Sequence, residues 1–281
     1  IKTKRGVLRP AFQLALDSDW IRKNPFDFEL KDLLINDSIK RSALTVRQER
    51  LYLKFIKEDP YYSEFYDGIF LLFKLGLRIS EFCGLTLKDI DFKNKLINID
   101  HQLQYTGGTG IYIQDNTKTD AGVRKLPMDD EVYECLKRVV KNRRKPKIEY
   151  LVDGYSGFLF LDKNDKPMVA YHWEKKFQYS VEKYNRIYKE ELPTISPHVA
   201  RHTRISRWVA QGLAMTTVMY MAGHTDIQTT INCYTTVFVE DVIDDIDKTK
   251  KAQELLKQLE GVSGGKAKKE LTDVLKRVVG L

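Results

Sequence analysis

The apolar residues of this chain change period between residues 96 and 126, and the change limits the folds open to it. Leu96-Ile97-Asn98-Ile99-Asp100 alternates with a period of two, as do Ile111-Tyr112-Ile113 and Val123-Arg124-Lys125-Leu126, and Gly107, Gly108 and Gly110 mark a turn between them. Segments this short, joined by a glycine turn, form a small antiparallel sheet. Helical patterning flanks them. Thr45 with Gln48 makes a capping box ahead of a helix containing Leu51, Phe55 and Ile56. A second helix runs from about Tyr62 to Leu75 and is closed by Gly76, and Leu77-Arg78-Ile79-Ser80-Glu81 begins another. Further helices are expected near 129–144, 170–187, 197–211, 215–222 and 226–233. The expected fold is therefore mainly α with a small antiparallel β-sheet (α+β).

Near the N-terminus, Leu8, Ala11, Phe12 and Ala15 fall at i, i+3, i+4 and i+7, one helical stripe that stops near Asn24-Pro25, because a residue before proline avoids the helical region. One helix encloses no core, so this stripe calls for a surface from the main domain or from an upstream portion of a longer protein. Residues 29–44 read as a polar linker and 45–260 as the main domain, whose last stretch from Glu240 is charged and helical in character. Gly261-Val262-Ser263-Gly264-Gly265 is a flexible break, and Lys266 to Leu281 is a final helix with Ala267, Leu271, Val274, Leu275 and Val278 along one face.

Composition narrows the class. With 42% hydrophobic and 31% charged residues, the chain matches ordinary globular proteins, and no apolar run approaches the roughly 20 residues of a membrane span. No secretory signal opens it. Cys83, Cys135 and Cys233 have neither metal-site nor disulfide-framework spacing, which fits a reducing cytoplasm. A formal charge of +8, from 47 Lys and Arg against 39 Asp and Glu, suits a polyanionic partner.

Several short pieces carry chemistry only in combination. Ser196-Pro197 starts a helix in which His198 and Arg201, three apart, share a face. Alone, such a pair reads as a solvated surface or an ion-pair patch. Gly223-His224 closes a short helix, and Tyr234 follows ten residues later. Alone, a tyrosine is most often a core or interface residue. Lys118, in Thr117-Lys118-Thr119-Asp120-Ala121-Gly122, stands at a turn flanked by strands, where an exposed lysine is unremarkable in isolation.

Taken in order, Gly76-Leu77-Arg78-Ile79-Ser80-Glu81, Lys118, His198-x-x-Arg201, Gly223-His224 and Tyr234 resemble the tyrosine recombinase, or phage-type integrase, family over about residues 45 to 240. Leu77 to Phe82 and Thr117 to Gly122 narrow the resemblance to integrases of bacterial conjugative transposons. The interval from His224 to Tyr234 is one residue longer than is common in that family. The resemblance implies a tyrosine recombinase catalytic domain fold at 45–260. It makes residues 1–28 the C-terminal part of a helical core-DNA-binding domain that is otherwise absent here. It makes 261–281 a linker and helix of the kind exchanged between protomers.

The resemblance also implies an activity: integration and excision of a mobile element by cleaving and rejoining DNA through a 3′-phosphotyrosine, with no metal or other cofactor and no ATP. The implied partner is double-stranded DNA, at element ends and target sites, with the chain assembled on it as a dimer to tetramer. An excisionase and a DNA-bending protein are further partners it implies. The implied location is the bacterial cytoplasm, in association with the nucleoid.

Each implied role matches a physical need. A tyrosine hydroxyl forms an ester that stores the bond energy for rejoining, which gives Tyr234 the nucleophile's role. Negative charge on the non-bridging oxygens suits the planar fork of a guanidinium, the role of Arg78 and Arg201. The 5′ oxygen leaves as a hydroxyl only with a proton, which Lys118 would deliver; Lys125, within a strand, is the nearest competitor. His198 would accept the tyrosine proton or orient the phosphate and His224 donate to a phosphate oxygen, two roles that sequence leaves open between them. His202 is expected on another face, since adjacent helical residues do not share one. Lys4, Arg5, Lys40 and Arg41 are expected to cross the phosphate backbone.

Three other readings compete. His198, His202 and His224 could be metal ligands, but Val199 stands where a zincin of the His-Glu-x-x-His type has its glutamate. A DNA-bridging protein could keep the fold without turnover. A type IB topoisomerase would share the chemistry, and the Leu77 to Glu81 motif favours the integrase branch over it.

Overall fold

The computed structural model describes residues 2–28, 43–108, 110–115, 122–227 and 229–230. The chain divides into two compact units, Ile1–Lys40 and Arg41–Leu281. In the first, helix α1 (Lys2–Asp17) is followed by a segment that folds back on it. The Phe12 ring meets Phe26 edge-on at 5.0 Å. Asn24 ties the turn together, donating through Nδ2 to the Arg9 carbonyl and the Gln13 side chain and accepting from the Phe26 amide. Of the expected stripe, Phe12 and Ala15 are half-buried while Leu8 and Ala11 are exposed, and Trp20 stands 82% exposed.

In the second unit Thr45 caps α2 (Val46–Glu58) with a reciprocal box. Its side chain accepts from the Gln48 amide, and the Gln48 side chain accepts from the Thr45 amide. The stretch expected as one helix from Tyr62 divides into a 3-10 turn, Tyr62–Phe65, and α3 (Tyr66–Leu75). Helix α3 is the centre of the unit: Ile69, Leu71, Leu72, Phe73 and Leu75 are all buried, so apolar residues surround it rather than stripe it. Helix α4 (Ile79–Gly84) follows at once.

The expected small sheet is two. Strands β1 (Ile90–Asp91), β2 (Leu96–Ile99) and β5 (Arg124–Pro127) form an antiparallel sheet in the order β1-β2-β5, with Ile97 opposite Leu126 and Ile99 opposite Arg124. Strands β3 (His101–Thr106) and β4 (Gly110–Asp115) form a separate hairpin, with Leu103 opposite Ile113. Period-two reading missed β3 because only Leu103 in its first four residues is aliphatic, the others being His101, Gln102 and Gln104.

Asp129 caps α5 (Asp130–Asn142) by accepting from the Val132 amide. Helix α6 (Ala170–Ile187) buries Trp173, Phe177, Val181 and Tyr184, spaced by four, four and three, and its rings meet Tyr52 of α2, Phe73 of α3 and Phe82 of α4. Each such side chain taken from water contributes on the order of 1.5–3 kcal/mol before entropy is counted. Ser196 and Pro197 open α7 (Pro197–Ala210) as the sequence suggests, the Ser196 hydroxyl accepting from the Val199 amide. Helix α8 (Met215–Ala222) packs on α7 through Ile205, Trp208, Val218 and Ala222. Of the helix expected at 226–233, residues 227, 229 and 230 are helical among the described residues. The expected helices at 240–260 and 266–281 lie outside the described residues.

Candidate active site

Two glycine caps create the site's frame. Helix α3 ends at Gly76 (φ 62°) and α8 at Gly223 (φ 68°), left-handed conformations that a side chain disfavours. Ending a helix leaves its last carbonyls without intrahelical partners. Three arginines from three different elements supply them. The Arg124 Nε donates to the Met221 carbonyl at 3.0 Å, the Arg201 Nη2 to Ala222 at 2.7 Å, and the Arg78 Nη2 to Gly223 at 2.5 Å. Three guanidiniums thus take three consecutive carbonyls at the negative end of α8. Arg201 also donates to the Gly76 carbonyl at 2.7 Å, so one side chain ties the ends of α3 and α8 together.

The carboxylate of Glu81 holds two of the arginines together. It is buried, receives Arg124 at 2.9 and 3.2 Å through both oxygens, and receives the Arg78 Nη1 at 2.8 Å and the Arg78 amide at 3.0 Å. Burial pushes its pKa up, but the Arg124 hydrogen bonds and the charges of Arg124, Arg78 and Arg201 outweigh this and leave it below the ordinary range. Among the described residues, one carboxylate against three guanidiniums leaves a surplus of positive charge, the field an incoming anion requires. Arg124 is completely enclosed, whereas 43% of the Arg78 side chain is exposed.

His224 directly follows the Gly223 cap. It is buried, and its Nδ1 lies 2.9 Å from the Thr230 hydroxyl. Burial, followed by the charges of Arg201 and Arg78, depresses its pKa from the ordinary 6.5 to about 4 and keeps it neutral at neutral pH. On α7, His198 is exposed, and its Nε2 lies 2.8 Å from the Nε2 of His202. The expectation that His202 takes another face holds against Arg201 but not against His198. His202 stands four residues from His198 and so lies directly over it. Burial and then the neighbouring His198 depress the His202 pKa to about 4.

Of the residues singled out in the sequence, the structure brings Arg78, Arg201 and His224 to the end of α8 and puts His198 on the helix that carries Arg201. Lys118, Tyr234, Lys40 and Arg41 lie outside the described residues. In the first unit Lys4 is exposed, while Arg5 donates to the Phe26 carbonyl at 2.9 and 3.1 Å and lies over the Phe28 ring. Glu81, Arg124, His202 and Thr230 were not assigned to the site from sequence. Arg124 reads as one more polar position of an alternating strand, and its partner Glu81 is 43 residues earlier.

One group of three potential metal ligands occurs among the described residues: Asp89, Asp100 and His101. Their atoms already serve the fold. Asp89 accepts from the Thr86 amide and hydroxyl at 2.7 and 2.8 Å, and His101 bridges Asp100 at 2.5 Å and the Gly84 carbonyl at 2.8 Å.

The sequence profile of the phage integrase family matches residues 43–240. The chain is 43% identical over 234 residues to the transposase of transposon Tn916 from Enterococcus faecalis, covering 83% of this chain and 57% of that protein. It is 31% identical over 167 residues to the integrase of Staphylococcus phage L54a, covering 58% and 45% respectively. Among solved structures, it resembles the Tn1549 transposon integrase in complex with a circular intermediate DNA, with a TM-score of 0.79, 42% identity, and 88% of this chain and 78% of that chain covered. The same integrase with transposon right end DNA gives a TM-score of 0.78 at 42% identity, with the same coverage. The chain therefore spans little more than half the length of the curated transposon relatives it matches.

Proposed function

We propose, from the premise that this chain belongs to the phage integrase family and has the fold of a tyrosine recombinase catalytic domain, that it is a site-specific DNA recombinase serving integration and excision of a mobile element. The observation that carries this reading is the arginine arrangement at the end of α8, where Arg78 and Arg201 are held by main-chain carbonyls beside a neutral His224. Donors fixed before the substrate arrives need no reorganisation as charge develops, which is where electrostatic catalysis gains most.

In the proposed reaction the Tyr234 hydroxyl attacks the scissile phosphorus, forming a bond from Tyr234 Oη to phosphorus as the bond to the 5′ oxygen breaks. The products are a 3′-phosphotyrosine and a 5′ hydroxyl, the latter protonated by Lys118. Arg78 and Arg201 hold the non-bridging oxygens. His224, neutral, donates a hydrogen bond to one of them; His198 takes the tyrosine proton or steadies the phosphate. Reversal with a different 5′ hydroxyl joins new strands, so no ATP is consumed. Double-stranded DNA is the proposed substrate. A dimer to tetramer on paired sites, with an excisionase and a DNA-bending protein, is the proposed assembly, and nucleoid association in the cytoplasm its location. Residues 1–28 would belong to a DNA-binding domain, with Lys4, Arg5, Lys40 and Arg41 against phosphates. Residues 261–281 would pass between protomers.

The test is a nicked suicide substrate carrying the element's end, incubated in excess chelator and run on a denaturing gel. A covalent protein–DNA band is expected with chelator present. Strict dependence on magnesium, or DNA binding without any adduct, would overturn the reading.

A further inference from the structure

Thr230 makes a contact that the mechanism above leaves unused. It is wholly buried, while its neighbour Thr229 is exposed, and its hydroxyl oxygen lies 2.9 Å from the Nδ1 of His224. Distance alone leaves open which atom donates, because a neutral imidazole has one N–H and one lone pair and a hydroxyl can play either part. Burial decides it. Among the described residues the Thr230 hydroxyl makes no other hydrogen bond. If it accepted from an Nδ1–H, its own proton would be enclosed without an acceptor among the described residues, and an enclosed unpaired donor loses the full cost of its desolvation.

Thr203 on α7 shows the alternative. Its hydroxyl donates to the Val199 carbonyl at 2.8 Å and accepts from the Leu44 amide at 2.9 Å, so both of its capacities are met by main chain. Thr230 lacks that arrangement among the described residues and has Nδ1 instead.

We propose that Thr230 is a positioning residue for His224: its hydroxyl donates to Nδ1 and thereby puts the imidazole's single N–H on Nε2. The opposite tautomer would turn a lone pair toward whatever Nε2 meets, and a phosphate oxygen would be repelled by it. The surrounding arginines Arg78, Arg124 and Arg201 carry donors only and cannot supply the missing hydrogen-bond direction. The tautomer follows from the buried contact alone; that Nε2–H meets a phosphate rests on the recombinase reading.

The experiment has two arms. In the first, the whole chain is labelled with 15N-histidine and long-range 1H–15N correlations are recorded near neutral pH, with His224→Gln assigning the signal among five histidines. The Nε2–H tautomer is expected in the wild type; an Nδ1–H tautomer overturns the proposal. In the second arm, Thr230→Val removes the hydroxyl at nearly constant shape and Thr230→Ser retains it. Thr230→Val is expected to slow single-turnover cleavage by at least about tenfold, bounded by the about 10²–10³ that loss of a preorganised donor costs. The DNA dissociation constant should stay unchanged, and Thr230→Ser should restore the rate. Wild-type cleavage in Thr230→Val, or a Thr230→Ser rate as low as that of Thr230→Val, overturns the proposal. Should Thr230→Val not fold, the wild-type tautomer and the Thr230→Ser rate still decide it. Should the wild type form no adduct at all, the recombinase reading fails and the tautomer alone decides the role of Thr230.

Discussion

Between α2, α3 and α6 the rings of Tyr52, Phe73 and Phe177 surround one another at centroid distances of 5.8 to 6.2 Å, whereas at the end of α8 the equally enclosed Glu81 and Arg124 meet through hydrogen bonds of 2.9 and 3.2 Å. Both regions are buried, but they constrain position differently. Aromatic packing is shared among many small contacts and tolerates modest shifts. A buried ion pair stabilises only when each atom keeps its partner, since the desolvation of two charges must be offset. The charged region therefore fixes geometry more tightly than its contribution to stability would require, and that rigidity suits the anionic transition state of the proposed reaction.

The comparison breaks most readily at its two centres. Glu81→Gln leaves Arg124 enclosed without a counter-charge and should destabilise the fold by about 3–5 kcal/mol. Phe177→Ala should cost a similar amount, about 3–5 kcal/mol, through cavity formation. The two should separate in activity. At a temperature where both variants are folded, single-turnover cleavage per folded molecule should be near wild type for Phe177→Ala and strongly reduced for Glu81→Gln. Equal rates in the two variants would show that the charged region serves stability alone.

Arg78→Lys sharpens the contrast within the charged region. The half-exposed Arg78 side chain shares Glu81 with the enclosed Arg124, and exposed pairs are worth little, so the melting temperature should move by the equivalent of about 1 kcal/mol or less. Cleavage should fall by about 10²–10³, because a lysine keeps the charge and loses the planar fork. A large stability loss with unchanged cleavage would reverse the roles assigned to the two arginines.

Acid should affect the charged region and spare the aromatic one. His224 and His202 have folded pKa values near 4 against an ordinary 6.5, so the unfolded chain binds more protons in between and stability falls as pH drops from about 6.5 toward 4. Glu81, held below its ordinary range, adds to the loss once pH falls below its unfolded value, whereas burial raises Asp89 and pulls the other way. The melting temperature of the wild type should decline across this window, and His224→Gln should flatten part of the decline. A melting temperature independent of pH between 4 and 6.5 would contradict the neutral, buried state of His224.

Local features of the fold were legible in the sequence. The Thr45 and Gln48 box, the Ser196-Pro197 start and the Gly76 and Gly223 ends depend on residues within one helical turn of each other. Helix α6 could be read because its buried face follows a single period over 18 residues. Strand β3 could not, since its polar residues satisfy the hairpin through backbone pairing that no side-chain pattern announces. Arg78, Arg201 and His224 could be picked out by their order along the chain. What they hold could not be, because Arg124 and Glu81 look like surface residues until the fold brings them together, and the position of His202 beside Arg201 hides its contact with His198.

The most direct measurement is the identity of the residue that becomes joined to DNA. Wild-type protein trapped on the nicked element end, digested and sequenced by mass spectrometry, should carry the nucleotide on the peptide containing Tyr234. Tyr234→Phe, lacking only the hydroxyl, should bind the same DNA with unchanged affinity and form no covalent band. A modified peptide from elsewhere in the chain, or an adduct that persists in Tyr234→Phe, would contradict the assignment of Tyr234 as nucleophile.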